Sequence, residues 1–182
     1  TAGHVVLSLD TDGDSETIPD TELYRLSFNG LSWGTPTPFT QDLLPDVNPK
    51  LALDPSGQVV LVWMKGNDLS CSVNFAPPVT VFTEEYSTNL ADFKMAVSSE
   101  GKIAIVWAEP DAYSSDLYVL FYDPDHQSWA AAPQQITSDP EVERNLDVTF
   151  YGTSDLIPVY DRMSIETTTV PVLAATGEPV LM

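Results

Sequence analysis

Short apolar runs separated by turn residues dominate this chain, and two of the longer segments repeat. Residues 50–63 (KLALDPSGQVVLVW) match residues 94–107 (KMAVSSEGKIAIVW) at a constant offset of 44 without a gap. In each copy an apolar run, a glycine-containing turn and a second apolar run predict a β-hairpin. The second runs, 59–63 and 103–107, are nearly continuously apolar, which is typical of strands covered on both faces.

Weaker copies extend the repeat along the chain. Residues 147–160 (DVTFYGTSDLIPVY) form a third copy and residues 171–182 a shortened fourth. The Asn-Gly pair at 29–30 predicts a further hairpin, because both residues tolerate the positive φ of a tight turn. Segments that begin with an aromatic residue, continue with small residues and proline, and close on a hydrophobic–threonine pair recur at 33–40, 75–83 and 129–137.

Four short strands in a repeat of roughly 45 to 55 residues describe the blade of a β-propeller. We therefore predict an all-β chain in which residues 1–182 are part of one propeller, with a little over three four-stranded blades. The approximate blades are 1–40 (partial), 41–83, 84–137 and 138–182 (partial or irregular). A β-sandwich built from the same strands is the alternative. Because known single rings need at least about four blades, we expect further blades from a parent chain or from other copies.

The composition limits the classes of partner that the chain is expected to bind. The chain has 27 Asp plus Glu against 7 Lys plus Arg, a formal net charge of -20, which argues against nucleic acid and anionic membranes. No apolar run reaches about 18 residues, so no membrane insertion is predicted. The only cysteine, Cys71, excludes a disulfide framework and a cysteine-rich zinc site. The start at Thr1, without a signal peptide, is read as that of a mature or excised piece.

Residues 27–33 (SFNGLSW) resemble the Asp-box turn of sialidase-like propellers, Ser-x-Asp-x-Gly-x-Thr-Trp, which joins the third and fourth strands of a blade. Asn29 stands at the acidic position and Gly30 comes one residue early. The third repeat keeps an acidic turn and Trp129, and the second repeat has lost the motif. The resemblance implies a secreted or cell-surface repeat propeller. It does not imply sialidase activity, because Asp-boxes are structural and the arginine triad that binds sialic acid has no counterpart here.

The loop at 10–20 (DTDGDSETIPD) carries alternating carboxylates, the hard oxygen ligands that Ca²⁺ prefers. The spacing begins like an EF-hand and then departs from it, since Ser15 replaces the glycine of position 6 and Thr21 the glutamate of position 12. A solvated acidic turn is the alternative. The predicted Ca²⁺ ligands are Asp10, Asp12, Asp14, Glu16 and Asp20.

Most acids, including those of the loop at 10–20, are expected on one face of the disc. We count the strands of a blade from the inside outwards. Connections from second to third strand, and from one blade to the next, emerge on that face, which carries 17 acids against six on the other. This face is predicted to recruit divalent cations or a cationic partner. A glycan or protein ligand is also expected here, with a glycan bound through Ca²⁺. Turn chemistry and solubility alone could also collect acids there. The predicted ligand-binding residues are Asp42, Asp46, Glu84, Glu85, Asp111 and Asp116.

No catalytic residue is predicted. His4 is expected at the start of a strand, and His126 in an exposed turn. No Ser/His/Asp arrangement can be proposed from two such histidines. Cys71 is expected to be a buried, inert thiol. Trp33, Trp63, Trp107 and Trp129 recur at fixed repeat positions, which favours packing between blades over a sugar-stacking platform.

The sequence therefore predicts a non-catalytic extracellular propeller module for recognition or scaffolding, stabilised by Ca²⁺. A fragment of a sialidase-like glycoside hydrolase or lyase is the first alternative, which a pair of carboxylates near the ring axis would favour. A structural spacer in a large surface protein is the second.

Overall fold

The computed structural model describes residues 3–11, 21–83 and 92–164, together with two short strands nearer the C-terminus. Among these residues no helix is long and apolar enough to cross a membrane. The strands of this part of the chain are β1 (Gly3–Asp10), β2 (Thr21–Phe28), β3 (Thr37–Pro38), β4 (Asp46–Leu53), β5 (Val59–Lys65), β6 (Asp68–Val73), β7 (Val79–Thr83), β8 (Lys94–Val97), β9 (Ile103–Pro110), β10 (Ser115–Asp123), β11 (Ser128–Trp129), β12 (Gln134–Gln135), β13 (Val142–Tyr151), β14 (Asp155–Met163), β15 (Val172–Leu173) and β16 (Pro179–Val180).

The strands form antiparallel sheets that follow the order of the chain. The first sheet has the order β1-β2-β3 and the second β4-β5-β6-β7. The third has the order β8-β9-β10-β11, with β12 also paired to β10. A fourth sheet pairs β13 with β14, and β15 pairs with β16. The all-β fold predicted from the sequence is confirmed for the described residues.

The 44-residue repeat extends to the hydrogen bonds of its turns. In the turn between β4 and β5, the Asp54 carboxylate accepts a hydrogen bond from the backbone N–H of Gln58 at 2.8 Å. In the turn between β8 and β9, the Ser98 hydroxyl accepts the equivalent bond from the N–H of Lys102 at 3.0 Å. Gly57 and Gly101 both adopt a φ of +84°, which strains any residue with a Cβ. The two predicted hairpins are confirmed, with glycine where the turn requires it.

The Asn-Gly turn also has a second copy. Asn29 Oδ1 accepts the N–H of the residue two positions later at 2.9 Å, and Asp123 Oδ1 does the same in the third sheet. Both side chains satisfy turn N–H groups that strand pairing leaves free. An aromatic pair closes each turn, with ring centroids 5.2 Å apart for Phe28–Trp33 and 5.4 Å apart for Tyr122–Trp129.

In two of its three copies, the hydrophobic–threonine ending fixes the start of a neighbouring strand. Thr40 Oγ1 accepts the backbone N–H of Leu23 at 2.8 Å, and Thr137 Oγ1 accepts that of Leu117 at 2.7 Å. Both leucines are fully buried. The threonine hydroxyl therefore takes the place of a strand carbonyl as the acceptor for a buried backbone N–H. Without an acceptor, that buried N–H would lower the stability of the fold.

Consecutive sheets pack face to face because their central strands are apolar on both sides. In β5, Val60, Val62 and Met64 pack into the core shared with the third sheet, while Leu61 and Trp63 pack toward the first. This is the two-residue alternation of a strand with both faces covered.

The third sheet repeats this arrangement one step along the chain. In β9, Ile103, Ile105 and Trp107 face the second sheet, and Ala104 and Val106 face β13 of the fourth. The second and third sheets are thus interior layers of a stack.

The two end layers of this stack expose apolar side chains. In β1, Val6 packs toward the second sheet, whereas Val5 and Leu9, on the opposite face, are 39% and 37% exposed. In β14, Ile157 and Val159 are 42% and 61% exposed on the face turned away from the third sheet.

Candidate functional site

Carboxylates and cations gather at two equivalent connections between sheets. The first acidic cluster (Glu22, Asp42, Asp46 and Lys65) lies where the first sheet continues into the second. Lys65 Nζ contacts Asp42 Oδ2 at 2.6 Å. The backbone N–H of Asp42 donates to Glu22 Oε1 at 2.7 Å. One lysine therefore serves three carboxylates, and the cluster has a net negative charge.

Asp46 is the most deeply buried acid of this cluster, with no exposed surface. Trp63 donates its indole N–H to Asp46 Oδ1 at 2.6 Å. Burial raises the pKa of Asp46 to about 6, against the lowering effect of hydrogen bonds with Thr40 and with the Trp63 indole, and the negative charges of Asp42 and Glu22 add to the rise. Near neutral pH this carboxylate is close to its titration range.

The ion pair fixes the charge states of its two partners. Burial opposes ionisation of Asp42, but hydrogen bonds from Lys65 and from the N–H of Leu44 hold its pKa below the usual value. The hydrogen bond to Asp42 raises the pKa of Lys65 in turn.

The second acidic cluster (Asp116, Asp139, Glu141, Glu143 and Arg162) lies where the third sheet continues into the fourth. Arg162 Nη2 contacts Asp139 Oδ2 at 2.7 Å and Glu141 Oε2 at 2.9 Å. The N–H of Asp139 donates to Asp116 Oδ1 at 3.3 Å. Glu143 is buried, and burial followed by the negative charge of Asp139 raises its pKa.

The two clusters are copies of one connection. The sequence offset of 97 that aligns residues 50–63 with 147–160 also places Lys65 on Arg162, Asp42 on Asp139 and Asp46 on Glu143. A cation at the end of one strand holds the aspartate of the incoming loop in both places. The acids of this face therefore support the connections between sheets as part of the repeat.

The predicted Ca²⁺ loop is only partly described. Asp10 ends β1 and pairs in register with Thr21. Asp12, Asp14, Glu16 and Asp20 lie outside the described residues. Among the residues that the structure describes, no group of three or more His, Cys, Asp or Glu side chains is arranged to hold a metal ion. The Ca²⁺ site at this loop stays a prediction.

The other predicted ligand-binding residues are placed as follows. Asp42 and Asp46 belong to the first acidic cluster. Asp116 accepts a hydrogen bond from Gln135 Nε2 at 2.9 Å. Asp111 is exposed and accepts the N–H of Ala112 at 2.7 Å. Glu84 and Glu85 lie outside the described residues. Ligand binding by this face also stays a prediction.

The residues considered for nucleophilic or acid–base chemistry, which are Cys71, His126 and His4, have the surroundings of residues with a structural role. Cys71 is buried, and burial raises the pKa of its thiol to about 12, so it is a neutral core group at physiological pH. His126 Nδ1 contacts Asp123 Oδ2 at 2.7 Å on the exposed side of a turn, and this contact raises the pKa of the imidazole. His4 Nδ1 lies 3.3 Å from the hydroxyl of Ser27.

The face opposite the acidic clusters has a cavity that sequence reasoning missed. It is a cleft of about 380 Å³ between the second and third sheets, here called the turn-face cleft. Its floor is apolar, with Val60, Cys71 and Ile103 from the shared core. Turn residues of both sheets form its rim, including Asp54 and Gln127.

Aromatic rings form one wall of this cleft. Tyr122 and Trp129 line it, and both are partly exposed. The same two side chains also line a second cavity of about 460 Å³, beside Phe121 and Ser128. Trp129 packs on the core between sheets, as predicted, and also borders open space on two sides. The repeat spacing identified the packing role, but it contained no signal for the cleft.

Comparison of the chain with protein-family models, with curated proteins and with solved structures found no match.

Proposed function

We propose that this chain is part of a β-propeller and acts as a non-catalytic recognition or scaffolding module of an extracellular or cell-surface protein, with Ca²⁺ stabilising the loop at 10–20. The stack of sheets in chain order carries the proposal. A β-sandwich has two layers, each with one core-facing side. Here the second and third sheets are both covered on two faces, as blades inside a propeller are.

The positions of the first strands also support blades. β4 lies against β8, and β8 lies against β13. These are the leading strands of three successive sheets, so the sheets approach each other along the same edge. In a propeller the leading strands surround the central channel in this way.

The surroundings of the acids favour a scaffold over a catalyst. The buried carboxylates of Asp46 and Glu143 belong to two copies of one connection, and each contacts a neighbouring strand: Asp46 accepts the Trp63 indole N–H, and Glu143 contacts Ser115. A repeated arrangement of this kind is explained by the repeat itself. The extracellular setting rests on the resemblance of the turn at 27–33 and on the strongly acidic composition.

The Ca²⁺ part of the proposal is tested by thermal unfolding. Millimolar Ca²⁺ should raise the melting temperature, because a ligand bound only to the folded state stabilises it by about 2.7 kcal/mol at 100 times Kd. The double substitution Asp12→Ala with Asp14→Ala should abolish this rise. The matched control, Glu100→Ala with Asp125→Ala, removes two exposed acids from the opposite face and should retain it. A melting temperature that responds to neither Ca²⁺ nor EDTA would contradict a metal in this loop.

A further inference from the structure

The turn-face cleft has the size of a small-ligand site. Protein pockets for small ligands measure about 300 to 1,000 Å³, are mainly apolar, and carry a few polar groups that set orientation. At about 380 Å³ the cleft lies at the lower end of this range. Gly101 and Pro124 are among its lining residues, and a Cβ at Gly101 would lie within 4 Å of Pro55 and Pro124, so the two sheets approach closely beside the cleft.

The aromatic wall presents ring surface to whatever enters. Tyr122 and Trp129 have centroids 5.4 Å apart at an interplanar angle of 56°, so the two rings present differently oriented surfaces to the cleft. An aromatic ring that borders open space is suited to flat apolar patches, such as the C–H face of a pyranose.

The polar rim offers hydrogen bonds that the fold does not use. Among the described residues, the hydroxyl of Tyr122 and the carboxamide of Gln127 have no protein partner. Gln127 lies in the turn with a φ of +49° and lines the same cleft as Tyr122 and Trp129. A carboxamide and a phenol both donate and accept, which matches the hydroxyl groups of a polyol.

The charges around the cleft select against anions. The hydrogen bonds of Ser56 and of backbone N–H groups outweigh burial and keep the pKa of Asp54 low, so this rim residue is an anion. The neighbouring cavity is lined by one anion, Asp123, whose pKa the ion pair with His126 lowers, and by one cation, Lys102, so the selection against anions rests on the turn-face cleft itself. No lysine or arginine is among the residues that line the turn-face cleft. A carboxylate or sulfate ligand would meet repulsion without a counter-charge.

We propose that the turn-face cleft binds a neutral carbohydrate, with a sugar ring on Trp129 and Tyr122 and its hydroxyl groups on the Gln127 carboxamide and the Tyr122 hydroxyl. This inference rests on the proposed recognition function and names its ligand class and its site. The site lies on the face opposite the acids, so it is separate from the predicted Ca²⁺ loop and from the acidic clusters.

Calorimetric titration with neutral tetrasaccharides tests the proposal, with cellotetraose, xylotetraose, maltotetraose and chitotetraose as probes and sialyllactose as the anionic comparison. At least one neutral probe should bind with Kd below about 10 mM and change the tryptophan fluorescence, and sialyllactose should bind at least tenfold more weakly. Tyr122→Phe with Gln127→Ala removes the two free polar groups and keeps the ring, and should weaken binding at least tenfold.

The matched control is Tyr113→Phe with Gln134→Ala, which makes the same chemical changes at exposed positions outside the cleft and should leave Kd unchanged. Absence of binding by all four neutral probes would overturn the proposal, as would equal binding of sialyllactose. Binding that survives in the cleft variant would place the sugar elsewhere, which overturns the cleft assignment while leaving the recognition function standing. Ca²⁺ stabilisation is measured without sugar and does not depend on either result.

Discussion

Ionising the buried Asp46 carboxylate costs free energy, because the surrounding side chains stabilise its negative charge only in part. It is buried, has one indole donor, and faces the carboxylates of Glu22 and Asp42, with Lys65 beside Asp42 as the cation of the cluster. Its pKa of about 6 in the folded chain lies above the ordinary value of 3.8. Between these two pH values the folded chain binds a proton that the unfolded chain has already released.

This shift predicts a pH dependence of stability. Since the folded state binds more protons, the contribution of Asp46 to the free energy of unfolding falls as the pH rises from about 4 to about 6, and is constant above that window. Asp46→Asn keeps an acceptor for the Trp63 indole and cannot ionise. It should therefore gain about 2 kcal/mol over the wild type on going from pH 4 to pH 7. Urea unfolding of both chains across this range measures the difference.

The same measurement on Asp111→Asn provides the control, because Asp111 is exposed. Its difference from the wild type should not vary with pH by more than a few tenths of a kcal/mol. Parallel pH profiles for the wild type and Asp46→Asn would show that Asp46 has an ordinary pKa.

At the scale of elements, the feature that repeats is the connection between one sheet and the next. Lys65 with Asp42 and Arg162 with Asp139 form the same ion pair at positions 97 residues apart. Lys65→Met leaves three neighbouring carboxylates without their cation and should lower the free energy of unfolding by about 1 kcal/mol at low salt. The loss should shrink in part as salt is added, because Lys65 and Asp42 are partly exposed and such charges are screened over about 10 Å at 0.1 M, whereas the buried Asp46 and Glu22 are screened less.

An isolated ion pair in the same chain gives the comparison. Lys94 contacts Asp92 at 2.9 Å, but the Asp92 side chain is 85% exposed, so Lys94→Met should cost no more than a few tenths of a kcal/mol. Adding Asp42→Asn to Lys65→Met should recover part of the loss. If Lys65→Met and Lys94→Met lower the free energy of unfolding by the same amount, at low salt and at high salt alike, the first acidic cluster has no collective electrostatic role.

The elements were predictable from the sequence where the signal is local. The turns at Gly57 and Gly101 are read from a few adjacent residues, and the structure confirms them. The Asn29 turn closes on an antiparallel bridge between Phe28 and Trp33, but only Gly30 has the predicted positive φ, and Asn29 contributes through its side-chain oxygen instead. The roles of Thr40 and Thr137 were visible only as a recurring ending, because their hydrogen bonds go to leucines 17 and 20 residues earlier.

The sites were less predictable because they join distant segments. The turn-face cleft combines residues 54–60 and 71–79 with residues 101–103 and 122–129, and no period in the sequence reports the space between them. The burial of Asp46 was missed for a related reason. A sequence shows that an acid precedes a strand, but it does not show that Trp63 and Glu22 will enclose it.

At the scale of the whole molecule, the end layers decide how the chain behaves. The first and fourth sheets have one packed face and one face with exposed apolar residues, including Val5, Leu9, Ile157 and Val159. The interior sheets show that faces of this kind are covered by a neighbouring sheet. We therefore expect the end faces to be covered in a complete ring, either by further blades or by another copy.

The molar mass of the purified chain in solution tests this account most directly, measured by light scattering in about 0.15 M salt so that the charge of -20 is screened. The account predicts a mass above that of one chain, because exposed apolar sheet faces associate. Ile157→Lys with Val159→Lys should shift the mass toward one chain. A wild-type chain that is monodisperse at the mass of a single copy and melts in one cooperative transition would contradict a partial propeller.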